Sequence, residues 1–121
     1  MAIQKCKDLE IYNLSFESAM DIFYETKKFP KEELYSLVDQ MRRSSRSVPA
    51  NIREGFAKRK YPDVFVRHLN DALGSSEETL TWLEFADRCE YLSKKKFEEI
   101  SKRYEIAGAM IYKLMQNWQK F

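Results

Sequence analysis

The sequence predicts an all-α protein, an antiparallel, up-down-up-down four-helix bundle whose second helix is kinked at Pro49. Four long stretches place apolar residues at the three- and four-residue spacing of amphipathic helices. No stretch alternates with the period of two that marks a half-buried strand. Pro30 and Pro62 fall between these stretches, so the connections are short and favour antiparallel neighbours. We expect one domain over residues 1–121, because half of that length would not bury a stable core.

The first two predicted helices span residues 10–28 and 31–60. The first should bury a face whose members recur at three- and four-residue spacing: Tyr12, Phe16, Ala19 and Phe23. The second carries apolar or small residues that advance alternately by four and three positions: Leu34, Val38, Met41, Ser45, Val48, Ile52 and Gly55. This spacing is a heptad seam, which keeps one stripe of the helix against a partner helix.

Pro49 lies inside the second predicted helix. It removes one backbone hydrogen bond, and its ring clashes with the carbonyl group of Ser45. The helix therefore either breaks at Pro49 or continues through it with a kink. We expect the kinked helix, because the heptad seam keeps its phase on both sides of the proline.

The other two predicted helices span residues 62–88 and 94–120. The buried face of the third is expected to hold Leu69, Leu73, Ser76, Leu80 and Leu83. The fourth has an unbroken alternation of three- and four-residue steps: Phe97, Ile100, Tyr104, Ala107, Ile111, Leu114, Trp118 and Phe121. Ser93 is expected to cap it. Gly55, Gly74 and Gly108 each cost up to ~1 kcal/mol in a helix, and we interpret them as sites of close helix crossing.

The composition narrows the class of protein. Hydrophobic residues make up 44% of the chain, which favours a folded protein over a disordered one. No apolar stretch approaches the ~20 residues of a membrane-spanning helix, and no leader is recognisable at the N-terminus. We therefore expect a cytoplasmic protein without membrane association. Cys6 and Cys89 are too few for a disulfide framework and are expected to be reduced thiols.

The net charge of +2 hides an uneven distribution of charged residues. Residues 42–60 hold seven basic side chains, which we call the basic stripe: Arg42, Arg43, Arg46, Arg53, Lys58, Arg59 and Lys60. The same residues hold one acid, Glu54. Most of the stripe falls on one flank of the second helix, where it would attract a phosphate backbone. Residues 62–90 hold seven acidic and two basic side chains, so the alternative is that the stripe pairs with the third helix, within the chain or across an interface.

The third predicted helix also carries apolar side chains on its outward face. Trp82, Phe85 and Cys89 follow one another at three- and four-residue spacing, away from the predicted core. Aromatic residues in such a position are typical anchors of a subunit interface, which is the interpretation we favour. The alternative is that the N-terminal segment, with Leu9, Ile11 and Leu14, covers this patch within one chain.

Catalysis and metal binding have little support in the sequence. His68 is the single histidine and is interpreted as a surface or interface residue. Adjacent glutamates point in different directions on a helix, and no glycine-rich phosphate loop is present. We predict no enzymatic activity, no metal and no cofactor. The Phe and Tyr side chains of the four seams are interpreted as core residues and not as platforms for stacked bases.

The second helix carries an unusual motif, in which proline and asparagine occur within a helical stretch. Its members are Val48, Pro49, Ala50, Asn51, Ile52, Glu54 and Gly55. Residues 40–55 as a whole resemble the central motif of the 23S rRNA intervening-sequence proteins, an S23-type family of four-helix bundles. Segments 9–12, 26–30 and 72–77 fit the same family in order. Arg53 departs from the resemblance, because a small apolar residue is expected at that position.

The resemblance implies a short four-helix bundle encoded within sequences inserted in some bacterial 23S rRNA genes. It also implies that members assemble as homopentamers, and that a related branch binds nucleic acid and a reverse transcriptase. Most members have no established biochemical activity. For Asn51 and Glu54 we expect contacts with backbone groups near Pro49 or with a neighbouring subunit, rather than with a ligand.

Two hypotheses for function follow from these observations. The first is a homo-oligomeric accessory protein that binds RNA or DNA through the phosphate contacts of the basic stripe. The second is a structural or protein-binding oligomer whose basic stripe is neutralised by the acidic third helix.

Overall fold

A computed structural model describes residues 3–118, and within that range the chain forms four α-helices and no β-strand. The helices are α1 (Glu10–Thr26), α2 (Leu37–Ala57), α3 (Pro62–Arg88) and α4 (Lys94–Trp118). Single 3-10 turns precede α1 and α2, at Cys6–Asp8 and Lys31–Glu33. The predicted all-α class is confirmed. The predicted end of the fourth helix beyond Trp118, with Phe121, lies outside the described residues.

The four helices form a ring in which each one contacts two neighbours. α2 packs against α1 and α3, and α4 packs against α3 and α1. Near the end of α2, Gly55 meets His68 in the first turns of α3. Near the start of α2, Ser44 meets Thr79, far along α3. These two contacts concern α2 and α3 alone, and the antiparallel order of the four helices stays a prediction.

The seam of α2 forms the centre of the core. Val38, Met41, Val48 and Ile52 are almost inaccessible to solvent, as predicted. Leu34 is the exception and is exposed, because the chain makes a 3-10 turn there and α2 begins only at Leu37. One hydrophobic cluster combines these residues with buried side chains of the other three helices.

The buried face of α1 matches the predicted one only in part, because Tyr12 and Ala19 are buried as predicted but the two phenylalanines are not. Phe16 is 46% exposed and Phe23 is half-buried, whereas small hydroxyl residues take core positions. Ser18 and Thr26 donate hydrogen bonds to carbonyl groups four residues earlier in their own helix, at 2.8 and 2.7 Å. A hydroxyl group satisfied in this way can be buried without an unpaired donor. The helix is therefore rotated, and it leaves Phe16 near the surface.

The α3 and α4 seams are partly confirmed. Leu69, Ser76 and Leu83 on α3 are buried as predicted, but Leu73 and Leu80 are only half-buried. Ala72 and Thr79 complete the buried face of α3, again as small side chains. On α4 the predicted positions Ile100, Tyr104, Ala107 and Ile111 are all buried, while those nearer its ends are half-buried.

α2 is one continuous helix that includes Pro49, so the alternative of a break at the proline is wrong. The kink stays a prediction. The predicted extension of this helix to Lys60 is also wrong. Its last turn closes with Lys58 donating to the Gly55 carbonyl at 3.0 Å, and the backbone of Tyr61 is extended. A residue before proline is driven out of the helical region, so Pro62 ends one helix and starts the next.

Gly55 and Gly74 have different environments. A Cβ atom on Gly55 would lie 2.5 Å from the Cβ of His68, which confirms a close crossing of α2 and α3. The same prediction is wrong for Gly74, since a Cβ there would meet nothing within 4 Å.

Ser93 accepts a hydrogen bond from the backbone N–H of Lys96 at 3.1 Å, so the predicted cap of α4 is confirmed. Among residues 3–118, no helix is long and apolar enough to cross a membrane.

Candidate nucleic-acid interface

The basic stripe divides into two parts in the structure. Arg42, Arg43, Arg46 and Arg53 lie on α2 and extend about 17 Å along its axis. Lys58, Arg59 and Lys60 lie in the turn between α2 and α3, because the helix ends at Ala57. The continuous helical stripe to Lys60 that the sequence predicts is therefore shorter by one turn.

Three of the four arginines of α2 lie against aromatic rings of α1. The guanidinium carbons of Arg42 and Arg46 lie 4.9 and 5.8 Å from the ring centre of Phe23. The guanidinium carbon of Arg53 lies 5.7 Å from the ring centre of Tyr12. Cation–π contacts of this kind hold a guanidinium group in place without neutralising its charge. Lys27 adds a further cation, with its Nζ 4.7 Å from the centre of the Phe23 ring.

Hydrogen bonds to neutral hydroxyl groups fix two of these arginines. Arg42 donates from Nε to the Thr26 Oγ1 at 3.0 Å, and Arg53 donates from Nη1 to the Tyr12 hydroxyl at 3.2 Å. Arg42 is half-buried, whereas Arg43, Arg46 and Arg53 are exposed. Arg46 and Arg53 thus present pre-positioned positive charge to solvent, and Arg43 adds a further exposed cation.

Arg59 has a different environment from the other arginines. Its guanidinium carbon lies 3.9 Å from the centre of the Phe56 ring, and Nη1 donates to the Phe56 carbonyl at 3.0 Å. Nη2 reaches the carbonyl of Gln4 at 3.5 Å. These contacts tie the N-terminal segment to the end of α2, so Arg59 has a structural role in addition to its charge.

Two acidic side chains of α3 face α4 and not the basic stripe. Glu77 and Glu84 face the groove between α3 and α4, which Glu98 and Glu105 of α4 also line. Among residues 3–118, the ion pairs within 4.0 Å involve other cations, such as Lys94 with Asp87. Among the described residues of one chain, the basic stripe therefore forms no ion pair with α3, and the alternative of pairing within the chain is wrong.

A groove of about 320 Å³ runs between α1 and α2 beside these arginines. Its small lining residues are Ala19 of α1 with Pro49 and Ala50 of α2, and we call these three residues its floor. The remaining lining residues are Tyr12, Phe16, Met20, Phe23, Arg46 and Arg53. We call this the α1/α2 groove. The interpretation of all seam aromatics as core residues is wrong for Phe16, since its ring lines this open groove.

A pattern in the sequence indicates the α1/α2 groove, although the predicted buried faces assigned Phe16 and Phe23 to the core. Phe16 and Phe23 are seven residues apart on α1, and Arg46 and Arg53 are seven residues apart on α2. Two helical turns separate the members of each pair, so paired helices can place the two rows side by side. Small residues between the arginines then leave a recess.

The polar residues of the sequence motif connect α2 to α3. Asn51 donates from Nδ2 to the Ser47 carbonyl at 3.0 Å, and its Oδ1 lies 3.2 Å from Nδ1 of His68. Glu54 Oε2 lies 3.5 Å from the same nitrogen. The expected backbone contact is thus confirmed for Asn51, while Glu54 contacts His68 instead. His68 is half-buried at a helix–helix contact within the chain.

The outward patch on α3 is partly exposed. Phe85 is 54% exposed and Cys89 is exposed, while Trp82 is half-buried and donates from its indole N–H to Glu78 at 3.0 Å. Leu9 and Ile11 line a cleft with Met110 and Leu114 of α4. The N-terminal segment therefore packs elsewhere. The role of the patch as a subunit interface stays a prediction.

The two thiols are free within the described chain, as expected. Cys6 is buried, and this burial raises the pKa of its thiol. Within residues 3–118 there is no group of three His, Cys, Asp or Glu side chains placed to hold a metal ion.

The fold and the site define a class: a helical bundle with a cationic, aromatic-lined face between two of its helices. The chain belongs to the 23S rRNA-intervening sequence protein family, whose sequence model matches residues 7–113. Its structure is similar to the crystal structure of a protein of unknown function, of the S23 ribosomal protein family, from Bacteroides thetaiotaomicron VPI-5482. That similarity has a TM-score of 0.79 and 28% sequence identity, and covers 88% of this chain and 95% of the other. No curated protein matches the chain.

Proposed function

We propose that this protein is a non-enzymatic, cytoplasmic, homo-oligomeric accessory protein that binds nucleic acid through the exposed arginines of α2. The observation that carries the proposal is the set of contacts made by two of them, Arg46 and Arg53. Their guanidinium groups lie against aromatic rings and hydroxyl groups, which leave the positive charge available to phosphates. In a homopentamer, which the family resemblance suggests, several copies of the site would act together and raise the apparent affinity. A reverse transcriptase remains a candidate protein partner, by analogy with a related branch.

The proposal is tested by measuring RNA and DNA binding across a salt series. Replacing Arg43 and Arg46 by glutamate should weaken binding at least about tenfold. It should also reduce the slope of log affinity against log salt by about 1.4–1.8, the value for two lost phosphate contacts. Arg43 and Arg46 are exposed, so the variant should fold.

The matched control is Lys95→Glu with Lys113→Glu on α4, which changes the net charge equally at two exposed positions. This control should bind nearly as well as the unmodified protein. Absence of binding at low salt by the unmodified protein would contradict the proposal. So would an equal loss of binding in both double variants.

A second candidate function is supported by the acidic groove between α3 and α4. In the ring of helices, this groove lies on the side opposite the basic α1/α2 groove. A second copy of the chain could therefore place its acidic groove on the basic one, giving a structural oligomer whose stripe is neutralised across subunits. The Arg43→Glu, Arg46→Glu variant would then dissociate the oligomer, and the unmodified protein would not bind nucleic acid.

A further inference from the structure

We propose that the α1/α2 groove binds an unpaired base of a single-stranded nucleic acid by stacking, so that the preferred ligand is a single strand and not a duplex. This inference rests on the proposed function and names the kind of nucleic acid it concerns. It depends on three features of the groove: an exposed ring, a shallow floor and cations at both ends.

The first feature is the aromatic side chain at the wall of the groove. Phe16 is 46% exposed although the amphipathic pattern predicts it to be buried, and it lines the groove together with Met20 and Phe23. An exposed phenylalanine ring costs solvation free energy unless a partner covers it. Nucleobases stack on such rings irrespective of base identity, because each base has a π-face.

The second feature is the floor. Ala19, Pro49 and Ala50 are short side chains where larger ones would close the space between the two helices. The floor therefore gives a recess of about 320 Å³, which is comparable with the smaller small-molecule sites in proteins.

The third feature is the placement of charge. Arg46 and Arg53 lie on the same side of α2, about 10 Å apart along the helix axis, and flank the floor. Arg53 is held against Tyr12, and Arg46 lies near Phe23. Successive phosphates could therefore contact the two arginines while an intervening base occupies the groove. A base-paired duplex cannot offer its bases to this recess without unpairing, which costs free energy.

The experiment compares single-stranded and duplex ligands of equal length, about 12 nucleotides, which lies within the usual site sizes of single-strand binders. The probes are a single-stranded RNA, a single-stranded DNA and an RNA duplex, each with a fluorescent end label. A second single-stranded RNA carries 2-aminopurine, whose fluorescence is quenched by stacking. We expect tighter binding of the single strands and quenching of the 2-aminopurine.

Two variants test the groove itself. Phe16→Ala removes the ring and should weaken single-strand binding by about 5- to 150-fold, the usual effect of losing one stacked base. Ala50→Met fills the floor without changing the charge and should also weaken single-strand binding and abolish the quenching. Both positions are exposed, and Met is a good helix former. The matched control is Tyr112→Ala, which removes an aromatic ring of similar exposure from α4 and should change nothing.

The outcomes separate this inference from the proposed function. If the duplex binds as tightly as the single strands, or if neither groove variant weakens single-strand binding, base stacking is wrong while phosphate binding by α2 stands. Loss of single-strand and duplex binding to the same extent in the groove variants would also overturn it. If the unmodified protein binds none of the probes at low salt, the proposed function itself fails.

Discussion

At the scale of single residues, the same amino acid has different consequences at different positions of a helix. Gly55 lies where α2 and α3 approach most closely, and a Cβ there would meet the Cβ of His68 at 2.5 Å. Neither atom lies at the end of a flexible side chain, so the helices themselves would have to move apart. Gly74 faces open space, so its missing Cβ only lowers helix propensity.

We therefore expect opposite effects of two equivalent substitutions. Gly74→Ala should raise the free energy of unfolding by ~0.5–1 kcal/mol, because alanine has a higher helix propensity. Gly55→Ala should lower it by ~1–3 kcal/mol, because the added methyl group overpacks the crossing. Urea denaturation followed by circular dichroism measures both values. A Gly55→Ala variant as stable as the unmodified protein would contradict the close crossing.

Prediction from sequence succeeded where the helical spacing and the polarity of the side chains indicated the same buried face. The seam of α2 could be predicted because large apolar or small residues recur there without a competing face. Phe16 could not be placed, because Ser15 and Ser18 are buried on the adjacent face with their hydroxyl groups bonded to their own helix. A pattern that counts only apolar side chains assigns such serines to the surface and rotates the helix accordingly.

At the scale of helices and their connections, one hydrogen bond joins the turn before α2 to the loop before α4. The Tyr91 hydroxyl donates to the Glu33 carboxylate at 2.8 Å. The hydrogen bond to this carboxylate favours the protonated phenol and raises the pKa of Tyr91 to about 12. Because the unfolded phenol has a pKa of about 10, the bond stabilises the fold below that pH.

The stability should therefore fall as the pH rises from about 10 to about 12, since the unfolded phenol ionises in this range while the folded phenol keeps its bonded proton. Glu33→Gln should lower the pKa of Tyr91 toward the usual value and reduce this fall. Chemical denaturation at several pH values measures the stability, and the absorbance of tyrosinate reports the titration. Tyr91→Phe serves as a control for the other groups that titrate in this range. An unchanged pH dependence in both variants would contradict the role of this bond.

The connections also explain why the site could be predicted only in part. The basic residues of α2 are visible in the sequence, but the rings that they contact belong to α1. Phe23 lies 23 positions before Arg46, and Tyr12 lies 41 positions before Arg53. The rotation of α1 decides which rings reach the arginines. That rotation follows from buried serines and not from the charge pattern, so charge alone could not reveal the groove.

At the scale of the whole molecule, the two charged grooves face opposite directions and the α3 patch lies outside both. Glu84 belongs to the acidic groove, whereas Phe85 beside it points to solvent. The helix therefore turns an aromatic ring outward next to an acidic surface. This arrangement is typical of an interface that combines an apolar anchor with a charged rim.

The predicted subunit interface is best tested at Phe85. Trp82 packs against the core and bonds to Glu78, so its replacement would disturb the fold as well as an interface. Phe85→Glu places a charge at a position that is 54% exposed in the single chain, so the chain should still fold. If Phe85 anchors an oligomer, burial of the new carboxylate would oppose association, and light scattering should show dissociation to smaller species. Tyr112→Glu, equally exposed on α4, should leave the mass unchanged. An unmodified protein that is a monomer at all concentrations, or a Phe85→Glu variant with unaltered mass, would contradict the interface.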